Sequence, residues 1–372
     1  RETHPEAEVI GVIDSDYAVR PDWLKALVPH FATPKVGFVQ APQDNREWQG
    51  DLFKTVCNWE YRGFFDTGMV HRNERDAIIQ HGTMTLIRTQ ALRQLKGWSE
   101  WCICEDAELG LRLYEQGYTS VYVNEDFGHG LVPDSFAAYK VQRFRWAYGA
   151  MQILRGHWQQ LWSPTSGLTL GQRFHFLGGW LPWVADALHL LFTFAAVFWT
   201  IGLVIWPQHF DFPLAAFLLP TLGMFVFKVA HSLALYHTQV RCGLWERLGA
   251  AMAGMSLTHT IARAVWQGVF ISGKPFFRTP KGENKPALMR ALLMAWEELQ
   301  MLSLLWLAVI ATYVRYGDQW EALIWMLVLA AQSMPYLAAL GVSLTNSVPD
   351  LGALWARKPA AQPVVLVQAP AA

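Results

Sequence analysis

Four long apolar stretches in the second half of the chain constrain its fold more than any other feature: about Leu188 to Trp206, Leu214 to Tyr236, Leu299 to Tyr313 extended backward through Trp296, and Leu323 to Leu344. A helix needs about 20 apolar residues to cross the roughly 30 Å of bilayer hydrocarbon, and these segments meet that requirement. A water-soluble core does not call for four of them, so the sequence predicts a membrane domain. The residues up to about Asp134 are different, with frequent Asp and Glu and short mixed patterns. This predicts a soluble domain followed by a membrane domain. Tryptophan is abundant, at 19 of 372 residues, and several (Trp180, Trp183, Trp206, Trp245, Trp320) lie near the ends of apolar runs, where an amphipathic ring suits the headgroup layer.

A fifth apolar segment, Leu244 to Ile271, is interrupted by Glu246, Arg247, His259 and Arg263. Charge placement decides its expected path. Lys274 to Arg290 carries Lys274, Arg278, Lys281, Lys285 and Arg290 against Glu283 alone, and Arg357-Lys358 follows the last span. Both belong on the cytoplasmic side, whereas Pro207 to Pro213, without Lys or Arg, faces outward. With the soluble domain in the cytoplasm, two spans return the chain there at about His237, and the basic loop remains there only if Leu244 to Ile271 lies along the interface. The stretch from Pro359, rich in Pro, Ala, Val and Gln, is low in complexity and expected to be a disordered tail.

Lys plus Arg equals Asp plus Glu at 30 each, so no global charge points to a nucleic acid, and none is expected as a partner. The four cysteines lack paired C-x-x-C spacing, which argues against a zinc site and for reduced thiols. Residues 1–135 alternate strand and helix patterns, predicting an α/β sheet with strands at Val9 to Ile13, Val36 to Gln40, Thr85 to Ile87 and Ser120 to Val123. Helices are expected at Pro21 to Phe31, Glu47 to Val70 and Glu105 to Gln116, the last stopped by Gly117. Residues 136–180 form the next unit, with a basic and aromatic helix from Tyr139 to Leu161 expected at the membrane surface. The membrane domain then covers 181–345 with an interfacial helix at 244–271 and a loop at 272–290, and the tail covers 346–372.

Three constellations carry chemistry. Asp14-Ser15-Asp16 ends an apolar strand, where two carboxylates two residues apart can converge on a divalent cation such as Mg²⁺ or Mn²⁺. Glu105-Asp106 opens a helix, and Asp106 in that position suits a general base taking the proton from an attacking hydroxyl. Gln142-Arg143-Phe144-Arg145-Trp146 places Gln142 and Arg145 on one helix face for phosphate contact, with Trp146 as a plane for a sugar ring. A solvated turn, a pair of capping acids and an ordinary surface helix would each explain one of these alone.

Taken in this order and followed by spans, the three motifs resemble the family 2 processive glycosyltransferases, which include cellulose synthase and its bacterial β-glucan, chitin and hyaluronan synthase relatives. The resemblance implies a GT-A type α/β nucleotide-sugar glycosyltransferase domain followed by an α-helical transmembrane domain. It implies a UDP-sugar donor and Mg²⁺ or Mn²⁺ at Asp14 and Asp16, with Asp106 as catalytic base. Gln142, Arg145 and Trp146 are then expected to shape the acceptor and pyrophosphate site, with His81 and Glu105 on the acceptor side. Phe277-Arg278-Thr279-Pro280-Lys281-Gly282 is similar to the family's gating loop, so Phe277, Thr279 and Lys281 are expected over the nucleotide.

The chain departs from the cellulose synthase pattern at Gln80-His81-Gly82-Thr83 and Cys104-Glu105-Asp106, and its loop lacks the usual Val. Gln-Arg-Phe-Arg-Trp-Ala-Tyr-Gly, with the Gly254 to His259 segment, is closer to bacterial β-1,3-type glucan synthases. The family's first Asp is expected upstream of Arg1, so the sequence is expected to lack an N-terminal part. The expected product is a growing β-glucan made from UDP-glucose at the bacterial inner membrane, with accessory export subunits as further partners. A chitin- or hyaluronan-type synthase, a single-transfer enzyme acting on lipid, and a transporter with a cytosolic regulatory domain are the alternatives.

Overall fold

The computed structural model describes residues 4–240, 242–271 and 288–346. Its strands are β1 (Val9–Val12), β2 (Ala18–Val19), β3 (Val36–Gln40), β4 (Asp44–Arg46), β5 (Thr85–Arg88), β6 (Thr119–Tyr122) and β7 (Gly128–Leu131). The helices up to residue 162 are α1 (Trp23–Leu27), α2 (Leu52–Gly63), α3 (Val70–Asn73), α4 (Thr89–Gln94), α5 (Glu105–Glu115), α6 (Phe136–Gly156) and α7 (Trp158–Trp162). There follow α8 (Leu170–Ile205), α9 (Ala215–Leu235), α10 (Leu244–Ser256), α11 (Thr258–Phe270), α12 (Leu288–Met294), α13 (Trp296–Tyr316) and α14 (Trp320–Thr345).

The main sheet has the order β1-β5-β3-β6, with β5 antiparallel to β1 and β3, and β3 parallel to β6. All five residues of β3 are buried, as its unbroken apolar run requires of a strand covered on both faces. A second sheet, β2-β7-β4, lies beyond the Asp14–Asp16 turn and was not legible in the sequence, because its strands have only two to four residues and little alternation. The helix expected from Glu47 to Val70 begins later, at Leu52, where the Asp51 carboxylate caps the Lys54 N–H at 3.1 Å. It passes into a π-helical turn at Phe64–Met69 before α3.

Helix α8 begins 18 residues ahead of the expected span, because Thr169 and Gln172 close a reciprocal capping box at its start. Its 36 residues amount to about 54 Å, more than the roughly 30 Å of hydrocarbon, so in a bilayer its first turns would reach into the headgroup layer. Among the described residues four helices are long and apolar enough to cross a membrane: Leu170–Ile205, Leu218–Val240, Trp296–Tyr316 and Trp320–Thr345. Their outer faces carry exposed large apolar residues such as Phe198, Phe227, Leu307 and Val314, which would suit contact with lipid. The segment at 244–271 forms two helices, α10 and α11, joined at Leu257. Each has 13 residues, about 20 Å, and neither alone covers the hydrocarbon thickness.

The two regions share one core. A single buried cluster runs from Phe38 in the sheet through Leu109 of α5 and Tyr148 of α6 to Ala253, Ala264 and Val342. Helix α6 is the joint, packed on α11, which in turn packs on α8.

Candidate active site

The site is built around the turn at residues 81–84, which is held from below by Gln40 at the end of β3. The fully buried Gln40 amide donates to the carbonyls of Ala41 at 2.8 Å and Thr83 at 2.9 Å, and its oxygen accepts from the His81 N–H at 2.9 Å and from the Thr85 hydroxyl. A buried amide satisfied on both sides fixes the turn, since loosening it would strand several polar groups in the core. Thr83 then reaches outward, its hydroxyl accepting the Asp14 N–H at 3.0 Å. Asp16 is held from the second sheet: its carboxylate accepts the Leu131 N–H at 3.1 Å, and its carbonyl accepts from Arg46 at 3.2 Å. Asp14 is exposed and Asp16 half-buried.

On the other flank of the same turn lies Asp106, in the first turn of α5. A Cβ placed on Gly82 would sit 3.3 Å from its Oδ2, which puts the turn directly beside the carboxylate. Burial, with the neighbouring Glu105 charge second, pushes Asp106 up to about 6. The Ala107 N–H, donating at 2.7 Å, opposes this shift only in part. Glu105 is half-buried in the same helical turn.

Helix α6 covers the segment leading into α5. Gly149 allows the contact, for a Cβ there would overlap the Cys104 sulfur. The Cys104 thiol donates to the Arg145 carbonyl at 3.5 Å, and Gln152 clamps the segment from both sides, accepting the Ile103 N–H at 3.0 Å and donating to the Trp101 carbonyl at 3.1 Å. The residues expected to bind acceptor and phosphate are therefore fixed to the segment between α4 and α5 that leads into the expected base.

Lys140, Arg143 and Arg155 of α6 meet partners inside the protein instead of forming a plain basic face. Lys140 donates to both Glu298 oxygens at 2.8 and 3.0 Å, Arg143 pairs with Glu60, and Arg155 donates to the Gly268 carbonyl at 3.1 Å. The Arg143 guanidinium lies over Tyr61 and Trp146, 4.8 and 4.7 Å from their ring centroids, and the Tyr61 hydroxyl donates to Gln142. Gln142 and Trp146 are thus oriented by α2 through Glu60 and Tyr61. His81 turns its ring between Phe64 and Phe65, at 5.2 and 5.3 Å, and burial followed by the Arg72 charge lowers it to about 3. It is neutral at any physiological pH.

The structure thus brings Asp14, Asp16, His81, Glu105, Asp106, Gln142, Arg145 and Trp146 into one connected region. Phe277, Thr279 and Lys281 lie outside the described residues. The sequence reading missed Gln40, Glu60, Tyr61 and Gly149. Gln40 had a signal, as a polar side chain ending a buried apolar strand, and so had the glycine that follows Arg145-Trp146-Ala147-Tyr148. Glu60 and Tyr61 had none, because their partners lie about 80 residues away.

Asp14 and Asp16 fit a hard divalent cation. Both offer carboxylate oxygens, and one Asp16 oxygen is already oriented by a backbone N–H. Among the described residues no group of three or more His, Cys, Asp or Glu could enclose a metal by itself. Two aspartates would be the protein's share of a Mg²⁺ site, since that ion commonly uses one or two carboxylates and takes its other ligands from water and substrate phosphates.

This is an α/β domain with polar groups gathered at strand ends, fused to helices fit for a membrane. The family model described as glycosyl transferase family group 2 matches residues 9–228, more than half of the chain. The chain belongs to that family. It is a glycosyltransferase, and membership implies a nucleotide-sugar donor and an acceptor.

Proposed function

We propose that this protein is a processive, inverting glycosyltransferase of GT-A type that adds glucose from UDP-glucose to a growing β-glucan and passes the product across a bacterial inner membrane, with its transferase domain on the cytoplasmic side. The observation that carries the reading is the joining of Asp106, with its raised pKa, to the Gln142–Trp146 helix through Cys104 and Gly149, on a helix that itself packs against the membrane region. A base, an acceptor-facing helix and a route toward the bilayer are then parts of one rigid unit.

In this mechanism the acceptor hydroxyl attacks the anomeric carbon while an Asp106 oxygen takes its proton. The bond from that carbon to the donor phosphate breaks, UDP leaves with the electron pair, and the configuration inverts in one step without a covalent enzyme intermediate. A carboxyl near 6 is ionised at neutral pH and still basic enough to accept the proton. Arg145 faces the leaving pyrophosphate and Trp146 supports the acceptor ring. Mg²⁺ or Mn²⁺ held by Asp14 and Asp16 would neutralise the pyrophosphate. Glu105 and His81 line the acceptor side, with the neutral His81 ring suited to hydroxyl groups. Phe277, Thr279 and Lys281 would close over the donor from the basic loop, whose charge also supports the cytoplasmic placement.

The test is to supply membranes containing the protein with radiolabelled UDP-glucose and size the product. Long β-linked glucan is expected. Single-sugar lipid products would replace processive synthesis with single transfer, and use of another UDP-sugar in preference would overturn the glucan assignment.

A further inference from the structure

Arg72, packed against the head of α8, is a buried cation that touches none of the reacting groups of the proposed mechanism and acts there only through the His81 ring. It is 7% exposed, and among the described residues its guanidinium donates one hydrogen bond, to the Ala77 carbonyl at 3.5 Å. Among the described residues it meets no carboxylate. Burial lowers the guanidinium to about 10, so it keeps its charge at neutral pH. An uncompensated buried charge is among the most costly features a fold can retain, and an anion from outside the chain would offset that cost.

The surroundings indicate which anion. Arg75 packs against Gly171 and Arg72 against Gly179, so the two guanidinium stems flank His175 on the same part of α8, and His71 is the neighbour of Arg72 in α3. The nearby Asp76 is already engaged, accepting from the Ser120 N–H at 2.6 Å and the Ser120 hydroxyl at 2.9 Å, and from Gln172 through its carbonyl at 2.8 Å. The Arg72 Nη2 rests where a Cβ of Gly179 would stand, and a Cβ at Gly178 would meet nothing within 4 Å, so α8 is bare of side chains under the guanidinium and open one residue further round.

At about 100° per residue, the head of α8 divides into three faces. Gln172, Phe176 and Trp180 form the core face and are buried. Leu170, Phe174 and Leu181 fall within about 40° of one another and are 81%, 70% and 64% exposed, an apolar stripe suited to lipid. Gly171, His175, Gly178 and Gly179 lie between them, so the basic cluster occupies the edge where the lipid face meets the protein.

We infer that His71, Arg72, Arg75 and His175 form a binding site for the phosphate of an anionic phospholipid, seated on the glycine ledge at the head of α8. Free phosphate has the same chemistry, but the adjoining lipid-facing stripe favours the headgroup. Such basic recesses at the end of a span attract acidic lipids, each Arg contributing roughly a fivefold gain in affinity near an anionic surface. The inference rests on α8 crossing a bilayer and not on the sugar or linkage transferred.

The test uses the full chain in nanodiscs of phosphatidylcholine, with and without phosphatidylglycerol, and measures the thermal midpoint and the lipids retained in native mass spectrometry. Phosphatidylglycerol should raise the wild-type midpoint by about 3 °C and remain bound. Arg72→Met should lose that response and, in pure phosphatidylcholine, unfold no earlier than wild type, because an uncompensated charge has been removed. Should Arg72→Met not fold, Arg75→Ala and His71→Ala, both at exposed positions, should each weaken phosphatidylglycerol retention severalfold. Equal lipid responses in wild type and every variant would overturn the site. Inorganic phosphate reproducing the wild-type response in phosphatidylcholine would overturn the lipid assignment in favour of a soluble anion.

Discussion

The Asp14–Asp16 turn and the Asp106 turn flank the same short loop and use the same side chain, but they differ in surroundings. Asp14 is exposed at the end of an edge strand, and Asp16 is half-buried and held by a backbone N–H from the second sheet. Asp106 sits in the first turn of a helix roofed by α6, and burial holds its proton up to about 6. Environment, not residue type, assigns the roles. A carboxylate open to water and substrate can serve a cation, and one withdrawn from water can serve as a base near neutral pH. Four predictions break or sharpen this contrast.

The largest effect is expected at the base. Asp106→Asn should lower transfer on the order of 10²- to 10⁴-fold while leaving donor binding within about twofold, because the amide keeps the shape but cannot accept the proton. Radiolabelled transfer and calorimetry with UDP and Mg²⁺ would check it, and near-normal turnover would end the distinction between the two carboxylates. The same variant should gain stability. Its raised pKa means that the folded protein holds the Asp106 proton more tightly than the unfolded chain, whose carboxyl titrates near 3.8. The folded state is penalised as pH rises from about 4 to 6, and fully so above that. Asp106→Asn should therefore be more stable than wild type at pH 7 by about 1–3 kcal/mol, and no more stable at pH 3.5, by thermal unfolding.

Asp14→Ala or Asp16→Ala should weaken donor binding on the order of 10- to 100-fold in Mg²⁺ and little in EDTA, since the loss is of a cation site. Full wild-type activity in EDTA would remove the metal from the account. The third effect is on the pH profile. A base with a pKa of about 6 is inactive when protonated, so kcat/KM should be level above about pH 7 and fall about tenfold per unit well below 6. A fall centred near 4 would mean that Asp106 is as open to water as Asp14. The smallest effect concerns the roof over the base. Gly149→Ala would drive a methyl into Cys104, costing about 1–3 kcal/mol of stability and lowering kcat a fewfold with donor KM unchanged. Adding Cys104→Ala should restore part of the loss, and a failure to do so would place the damage elsewhere.

The sequence alone determined the class and the parts. Runs of apolar residues long enough to cross hydrocarbon cannot be hidden in a soluble fold, and they reappear as the four long apolar helices. Val36 to Gln40 and Glu105 onward were legible because an unbroken buried strand and a helix opened by acids are local patterns, written within about ten residues. Only the tertiary structure decided that Gln40 braces the turn between the carboxylates, that Glu60 and Tyr61 orient Gln142 and Trp146, and that most of the basic residues of α6 turn inward. It also decided that one helix carries the first span and a charged head, which a capping box at Thr169 settles against the expectation of a later start. These are contacts between residues tens to hundreds of positions apart. Periodicity and spacing record which face of an element is apolar, but not which distant partner will cover it, and it is that partner that moves the Asp106 pKa and leaves Arg72 without a counter-ion among the described residues.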